Sequence, residues 1–515
     1  MSHQIADYAD QQGRAYTEAL TNEHRAEHGH YLTPPEIARY MAATLTTGWS
    51  MRVVRLLDPA AGAGILACAA CEALAASPTP PEEIHLTCYE VDEGLRSVLT
   101  DVLAKLKAAM HKTGVRLVVS TRFEDFVFAN AEALEAGLFP SGEQFDAIIS
   151  NPPYFKVPKS DPRAIACNSV VHGQPNIYGF FMAISAAMLR EGGRLNFIVP
   201  RSFASGPYFR LFRERFFGML QPQVVHLFNS RTDAFSRDEV LQENIILQGV
   251  RATNWSAREG GILTIIASHG LRDIDAPEVF GLPLAEVLDM QSKDKVLCIP
   301  GSQEQVDVFH RLRYWSGSLH RHGWEISTGP VIPFRATEVI VDTTDDETIP
   351  LLWIQNVRAM ATSWPVATRK SQYLKNTADA AAIVLPNKNY VLLWRFSAKE
   401  QDRRLTAAPV FADALPFAHI GLENHLNYVH KPKGTLTREE VAGLAAIFNS
   451  RLIDTWFRAI NGNTQVSATE IRAMPLPAVE TIRAIGAAVA GAKTLEEIDE
   501  VVARIATEDM ELIDA

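Results

Sequence analysis

The chain has 515 residues, a formal net charge of −11 and 47% hydrophobic residues, which fits two or three globular domains with sizeable cores. The acidic balance argues against a general nucleic-acid coat protein but leaves room for a local basic cleft. No apolar run is long enough to span a bilayer, no basic start leads into an apolar signal segment, and five cysteines are too few for a disulfide scaffold, so a cytoplasmic protein with reduced thiols is expected.

The first thirty residues are polar and read as helical. From Tyr31 to Val250 short apolar runs alternate with longer amphipathic stretches. Strands are predicted at Val53–Leu57, Ile84–Tyr89, Arg116–Val119, Ala147–Ser150, Leu195–Val199, Val224–Phe228 and Ile245–Val250. Helices are predicted between most of them, including Ile65–Ala76, Glu93–Met110 and Tyr178–Arg190. Such alternation implies an α/β fold with a mainly parallel, Rossmann-like sheet. At 253–261 (TNWSAREGG) the pattern breaks. This sets a first domain at 1–255, a less regular α+β domain at 256–477 with a β-rich run at Tyr390–Phe396, and an Ala-rich helical segment at 478–515. Cys68 and Cys71 look like half a zinc site, but no second pair stands at finger spacing, and no metal is expected.

The first strand runs into Asp58-Pro59-Ala60-Ala61-Gly62-Ala63-Gly64 and then a helix, the grammar of a nucleotide fold. The glycines let a ligand approach the backbone. An acidic residue opening the loop would repel a pyrophosphate but suits a cation or an amine, such as the sulfonium and ammonium of S-adenosylmethionine. The second strand ends at Glu90, well placed to accept from ribose hydroxyls. The third leads to Asp125-Phe126. Asp125 is either an acceptor for a cofactor's adenine amine, with Phe126 packed nearby, or the cap of a short helix. The fourth ends in Asn151-Pro152-Pro153-Tyr154. There the prolines restrict the backbone and keep their carbonyls as acceptors, Asn151 adds a side-chain carbonyl, and Tyr154 offers a flat face. Two acceptors beside a stacking surface suit a planar group carrying an NH2. Successive strands thus present ligand-competent residues at one sheet edge, where open α/β sheets bind ligands.

In these motifs the chain resembles the gamma-class (TaqI-like) N6-adenine DNA methyltransferases of type II restriction-modification systems. Tyr31-Leu32-Thr33-Pro34-Pro35 is similar to that family's N-terminal cofactor motif. Asp58-Pro59-x-x-Gly62-x-Gly64 is similar to its glycine loop, Glu90 to its ribose acid, Asp125-Phe126 to its adenine-side acid motif, and Asn151–Tyr154 to its catalytic motif. Phe235 resembles its late aromatic contact to a flipped base. The resemblance implies a Rossmann-like S-adenosylmethionine-dependent catalytic domain and a target-recognition domain. It implies a site-specific, adenine-specific enzyme acting on double-stranded DNA, with any cognate restriction endonuclease acting separately and no membrane partner. Tyr31, Thr33, Pro34, Asp58, Pro59, Ala60, Gly62, Gly64, Glu90, Asp125 and Phe126 would hold the cofactor. Tyr390–Arg404, Glu423–Tyr428 and Gly462–Val466 resemble the target-recognition region of larger members. Arg395, Arg403 and Arg404 there either face DNA or pair with Glu400 and Asp402 on a solvated surface. Rival readings are an RNA-adenine or protein-glutamine methyltransferase, which use a similar loop, and a non-enzymatic specificity subunit. The long C-terminal half and the intact acids disfavour them.

Overall fold

The structure, a computed structural model, describes residues 4–20, 33–135, 142–228, 243–257, 261–270, 273–274, 276–342, 348–398, 400–461 and 465–514. The chain divides into two compact units, Met1–Ser302 and Gln303–Ala515. The first runs α1 (Gln4–Glu18), α2 (Pro35–Thr46), β1 (Val53–Asp58), α3 (Ile65–Ala75), β2 (Glu83–Tyr89), α4 (Arg96–Thr113), β3 (Arg116–Arg122), α5 (Phe126–Asn130), β4 (Phe145–Ser150), α6 (Pro162–Ala166), α7 (Ile177–Met188), β5 (Leu189–Pro200), α8 (Arg210–Met219), β6 (Leu220–Phe228), β7 (Asn244–Arg251), β8 (Ile262–Ser268) and β9 (Glu278–Pro283).

These strands form one nine-stranded sheet in the order β3-β2-β1-β4-β5-β7-β6-β8-β9. The strands from β3 to β5 in that order pair in parallel. β7 inserts antiparallel between β5 and β6. Strand order reverses between β1 and β4, so the crevice for a ligand opens at their carboxyl ends. β4 (FDAIIS) is buried along its whole length, as expected of a central strand covered on both faces. Its one charge, Asp146, accepts from the Arg55 backbone N–H (2.8 Å) and pairs with Arg190 at 3.1 Å. On one face α2 and α3 bring Ile37, Met41, Leu66 and Ala70 onto Leu56, Leu86 and Ile149.

The first unit extends past residue 255. β8 pairs in parallel with β6, and β9 returns antiparallel to β8. The break at 253–261 is therefore a connection within one sheet, and residues 256–302 belong with the first unit rather than with the second. β8 buries alternate side chains and leaves Ile262 exposed, the pattern of a half-covered outer strand.

The second unit opens with α9 (Gln303–Leu312). β10 (Glu325–Thr328), β11 (Ile340–Val341), β12 (Thr348–Leu352), β13 (Val357–Arg358), β14 (Ala361–Thr362), β15 (Tyr373–Lys375), β16 (Val384–Pro386), β17 (Tyr390–Trp394), β18 (Ala407–Val410), β19 (His419–Leu422) and β20 (Leu426–His430) follow. They make sheets ordered β10-β20-β17-β18 and β11-β15-β12-β19-β16, with β13 and β14 as a separate pair. The unit closes with α10 (Arg438–Asn449), α11 (Arg451–Ile460), α12 (Ala468–Ala473), α13 (Val479–Ala488) and α14 (Leu495–Asp514). α10 and α13 touch backbone to backbone: a Cβ on Gly443 would lie 1.9 Å from the Ile482 carbonyl oxygen, and one on Gly486 2.0 Å from that of Glu439. Among the described residues no helix is long and apolar enough to cross a membrane.

Candidate functional site

β1 runs out at Asp58, and the chain turns through buried Pro59 and half-buried Ala60 into α3. Gly62 (φ +54°) and Gly64 (φ +90°) take the left-handed conformations of this turn, which side chains adopt only with strain. A Cβ on Gly62 would meet nothing within 4 Å, so the loop borders open space there; one on Gly64 would press on Leu99 at 3.0 Å. The Ala61 N–H bonds the Tyr89 carbonyl (2.9 Å), tying the loop to the end of β2.

Asp58 is 0% exposed. Its Oδ1 accepts weakly from the Ala60 N–H (3.3 Å), and its Oδ2 is buried with no hydrogen-bond partner among the described residues. Burial pushes its pKa from 3.8 up to about 7; the Ala60 N–H opposes this and the nearby Glu90 charge adds to it. Glu90 is also buried. Its Oε2 accepts from the Gly62 N–H (2.7 Å) and its Oε1 from the Asp92 N–H (2.8 Å). Burial raises its pKa, with those two N–H groups opposing. A buried carboxyl with an orphaned oxygen is a place for a cation.

Tyr16 of α1 donates its hydroxyl to Asp92 Oδ2 (2.7 Å), and Asp92 Oδ1 accepts from the Gly94 N–H (2.9 Å). The N-terminal helix is thus fastened to the segment that carries Glu90. Sequence reasoning missed this contact because nothing local marks a tyrosine 76 residues from its partner.

Asp125 takes the capping role: its Oδ1 accepts from the N–H groups of Val127 (2.8 Å) and Phe128 (3.1 Å) at the start of α5. Its Oδ2 lies 3.8 Å from the Arg163 guanidinium. Phe126 differs from expectation. It is 2% exposed, stacked on Phe181 and edge-on to Tyr89, a core residue rather than a surface for a ligand.

The Asn151–Tyr154 loop leaves β4 beside these acids. The Asn151 amide donates to the hydroxyl of buried Thr33 (3.0 Å), and its Oδ1 accepts from the Tyr154 hydroxyl (2.5 Å). That hydroxyl also lies 2.8 Å from the Ile198 carbonyl of β5. A phenol has one proton, so the two acceptors compete for it. The Tyr154 ring meets buried Tyr178 edge-on (6.1 Å), and Tyr178 hydrogen-bonds Ser202 (2.8 Å). Thr33, expected only beside the cofactor, therefore orients the Asn151 amide. Pro34 sits buried at the head of α2, which has Pro35 in its first turn, a proline-tolerant position.

Tyr31 and Phe235 lie outside the described residues. The arginines of the second unit do not meet expectation. Arg403 is 8% exposed and donates to Asp499 (2.6 and 3.0 Å) and to the Asn449 carbonyl. Arg404 is 2% exposed; its guanidinium reaches Asn461 (3.1 Å) and its backbone N–H Asp454 (2.5 Å). Both hold the C-terminal helices to the β-rich core and cannot face DNA in this geometry. Arg395 is half-buried and donates to the Asn424 carbonyl (3.1 Å). Cys68 and Cys71 lie buried within α3.

Residues 112–235 match the Eco57I restriction-modification methylase family. The chain is 31% identical over 431 residues to the type II methyltransferase M.PstI of Providencia stuartii, covering 84% of this chain and 83% of that one. This chain belongs to the type II restriction-modification methyltransferases. It is also 29% identical over 488 residues to the type II methyltransferase M.BsuBI of Bacillus subtilis, covering 94% of each. Among solved structures it is similar to the type IIG restriction endonuclease BpuSI, with 12% identity, a TM-score of 0.45, and coverage of 98% of this chain and 68% of that one. That likeness is too distant to bear on function. In this methyltransferase, the family-matched segment carries β4, the Asn151–Tyr154 loop and α7 behind it.

Proposed function

We propose that this methyltransferase modifies N6 of adenine at a specific sequence in double-stranded DNA, with S-adenosylmethionine as methyl donor. The observation that carries the reading is the meeting, at the β1/β4 switch point, of a side-chain amide held by Thr33 and Tyr154 with two buried carboxyls. The site's chemistry fits that donor: Asp58 offers an orphaned oxygen to an ammonium, Glu90 has acceptor capacity for ribose hydroxyls, and the loop at Gly62 borders open space. When bound, S-adenosylmethionine supplies an electrophilic methyl group on its sulfonium sulfur.

The residues' part is to make a poor nucleophile reactive. The N6 lone pair of adenine is delocalised into the ring. Asn151 Oδ1 and the Pro152 carbonyl, accepting from the two N6 hydrogens, would draw that nitrogen towards tetrahedral geometry. Positive charge grows on N6 in the transition state, so both acceptors bind it more strongly there than in the ground state. Thr33 keeps the amide from rotating. Ile198 gives the Tyr154 hydroxyl a second partner when a substrate N–H takes the Asn151 oxygen. Pro153 stiffens the loop. The target base must leave the duplex to reach this site, and the Tyr154 ring would stack on it, a contact worth roughly 1–3 kcal/mol. The second unit would choose the sequence, and any cognate endonuclease would act as a separate protein.

Base-resolution methylation mapping of DNA from cells expressing the chain tests the proposal. The expected result is N6-methyladenine at one motif, lost with Asn151→Ala. Turnover of that variant on purified duplex should fall by at least about a hundredfold, while cofactor affinity holds. Methylated cytosine, or unmodified DNA with an active parent on RNA, would refute it.

A further inference from the structure

Three segments of the catalytic unit meet beside the Asn151–Tyr154 loop. The first, 155–176, continues that loop. It is closed by the Val157 N–H to the Pro175 carbonyl (2.9 Å), the Ile177 N–H to the Phe155 carbonyl (2.9 Å), and a bridge between Lys156 and Asn176. The second is 203–213. Tyr208 packs its ring so tightly on Gly173 that a Cβ there would lie 2.1 Å from it, yet the tyrosine remains 52% exposed. The third is 292–295. It is held by Arg213, a guanidinium 0% exposed, which donates to the carbonyls of Asp294 (2.7 Å), Phe203 (3.0 Å) and Gly206 (2.8 Å).

These segments carry Lys156, Lys159, His172, Arg210 and Lys293. All are exposed except Arg210, which is half-exposed. None has an ion pair or side-chain hydrogen bond among the described residues. The His172 pKa is lowered by partial burial and then by the neighbouring Arg210 and Lys159, with Lys293 adding and Asp294 opposing. The nearby acids give only partial relief, Asp294 acting on His172 more strongly than Lys293 does. Asp161 is engaged by Arg163 (2.8 and 2.9 Å), Asp294 is buried, and Glu214, one turn along α8, makes no ion pair with Arg210.

In the neighbouring stretch of chain the other arginines are used internally. Arg190 pairs with Asp146, Arg194 bonds the Leu45 carbonyl, Arg201 that of Ile299, and Arg215 that of Leu134. Of the arginines between 190 and 215, Arg210 is left to solvent. The unpaired cations Lys156, Lys159, Arg210 and Lys293 repel one another, and a polyanion relieves that repulsion, with the neutral His172 ring offering a hydrogen-bond donor among them.

We propose that Lys156, Lys159, His172, Arg210 and Lys293 grip the phosphodiester backbone of duplex DNA next to the flipped target base. This rests on the reading of the chain as a DNA methyltransferase. Phosphate contacts beside the catalytic loop fix where the duplex stands while the base is out, and they carry no sequence information.

The test uses the full chain and a labelled duplex, with affinity measured by fluorescence anisotropy across a potassium chloride series. The triple variant Lys159→Ala, Arg210→Ala, Lys293→Ala should flatten the plot of log affinity against log salt by about 2.7 units, at about 0.9 per phosphate contact. Near physiological salt, affinity should drop on the order of a hundredfold, for specific and random duplexes alike. The charge-keeping triple Lys159→Arg, Arg210→Lys, Lys293→Arg should retain the parent slope. Titration with S-adenosylmethionine should match the parent in both, which shows that they are folded. Parallel lines of equal height for parent and Ala triple overturn the surface while leaving the methylation reading intact. A loss confined to a competing RNA hairpin overturns the DNA assignment. A parent that neither binds nor methylates duplex DNA overturns the underlying reading and the surface with it.

Discussion

If the cofactor's ammonium sits at Asp58, as proposed, its binding should be a proton-linked event. The folded-state pKa of Asp58 is raised from 3.8 to about 7, so the empty protein holds comparable amounts of neutral acid and carboxylate near neutrality. The stability this group contributes is present below its unfolded pKa and is lost as pH rises through about 7. An ammonium beside Asp58 Oδ2 requires the ionised form and must expel the proton. At about pH 6 roughly one site in eleven is ionised, and at pH 7.3 about two in three. The ligand's own α-amino group titrates near 7.7–8.0, so affinity should pass through a maximum between those limbs. With both included, the association constant should rise about sixfold from pH 6 to 7.3, close to 1 kcal/mol. Calorimetric titration of S-adenosylmethionine in two buffers of different ionisation enthalpy reads this directly, since the apparent enthalpies must differ by the protons released. Asp58→Asn should bind weakly and lose the acid limb. A parent affinity flat from pH 6 to 7.3, with buffer-independent enthalpy, would refute the placement of a cation at Asp58.

Thr33→Val keeps the shape of the side chain but removes the acceptor for the Asn151 amide. Single-turnover rates should fall about tenfold with cofactor affinity nearly constant; an equal loss in affinity would return Thr33 to a purely binding role. Arg403→Met should destabilise the second unit by about 3 kcal/mol, because Asp499 loses its buried partner. Urea unfolding measures this, and an altered salt slope of DNA binding would instead put Arg403 at the interface. Gly443→Ala should loosen the α10–α13 contact and lower the thermal midpoint, since its methyl would occupy the space of the Ile482 carbonyl. A midpoint equal to the parent's would show that the two helices can part without cost.

The parallel half of the sheet was legible because each strand is a short apolar run followed by a turn with its own chemistry. The glycine loop, Glu90 and Asn151–Tyr154 sit where those runs end. β8 and β9 were lost because their alternation is that of a half-covered sheet margin and they follow a polar connection. Partnerships across the chain left no local mark. Thr33 and Asn151 are 118 residues apart, and Arg403 and Asp499 are 96 apart. Arg403 and Arg404, in a run of charged residues, look exposed until the acids that pair with them are known. Phe126 was misjudged for a related reason: an aromatic next to a motif acid can face either the ligand or the core, and Phe181 decides it.

The single proton that Tyr154 shares between the Asn151 amide and the Ile198 carbonyl has a consequence for which bases can react. The resting amide oxygen already has a donor, so an incoming base must bring one of its own. A base with a carbonyl oxygen at C6 in place of the amine would set an acceptor against two acceptors there. Tyr154 would then keep its hold, and the base would be turned away before the methyl is in reach. A duplex with hypoxanthine at the target position should therefore compete poorly for the catalytic pocket while still binding the protein. One carrying 2,6-diaminopurine should be modified. On the proposed reading, the aromatic ring would accept any flat base, and the hydroxyl on its rim would favour those that carry an amine at the reacting position.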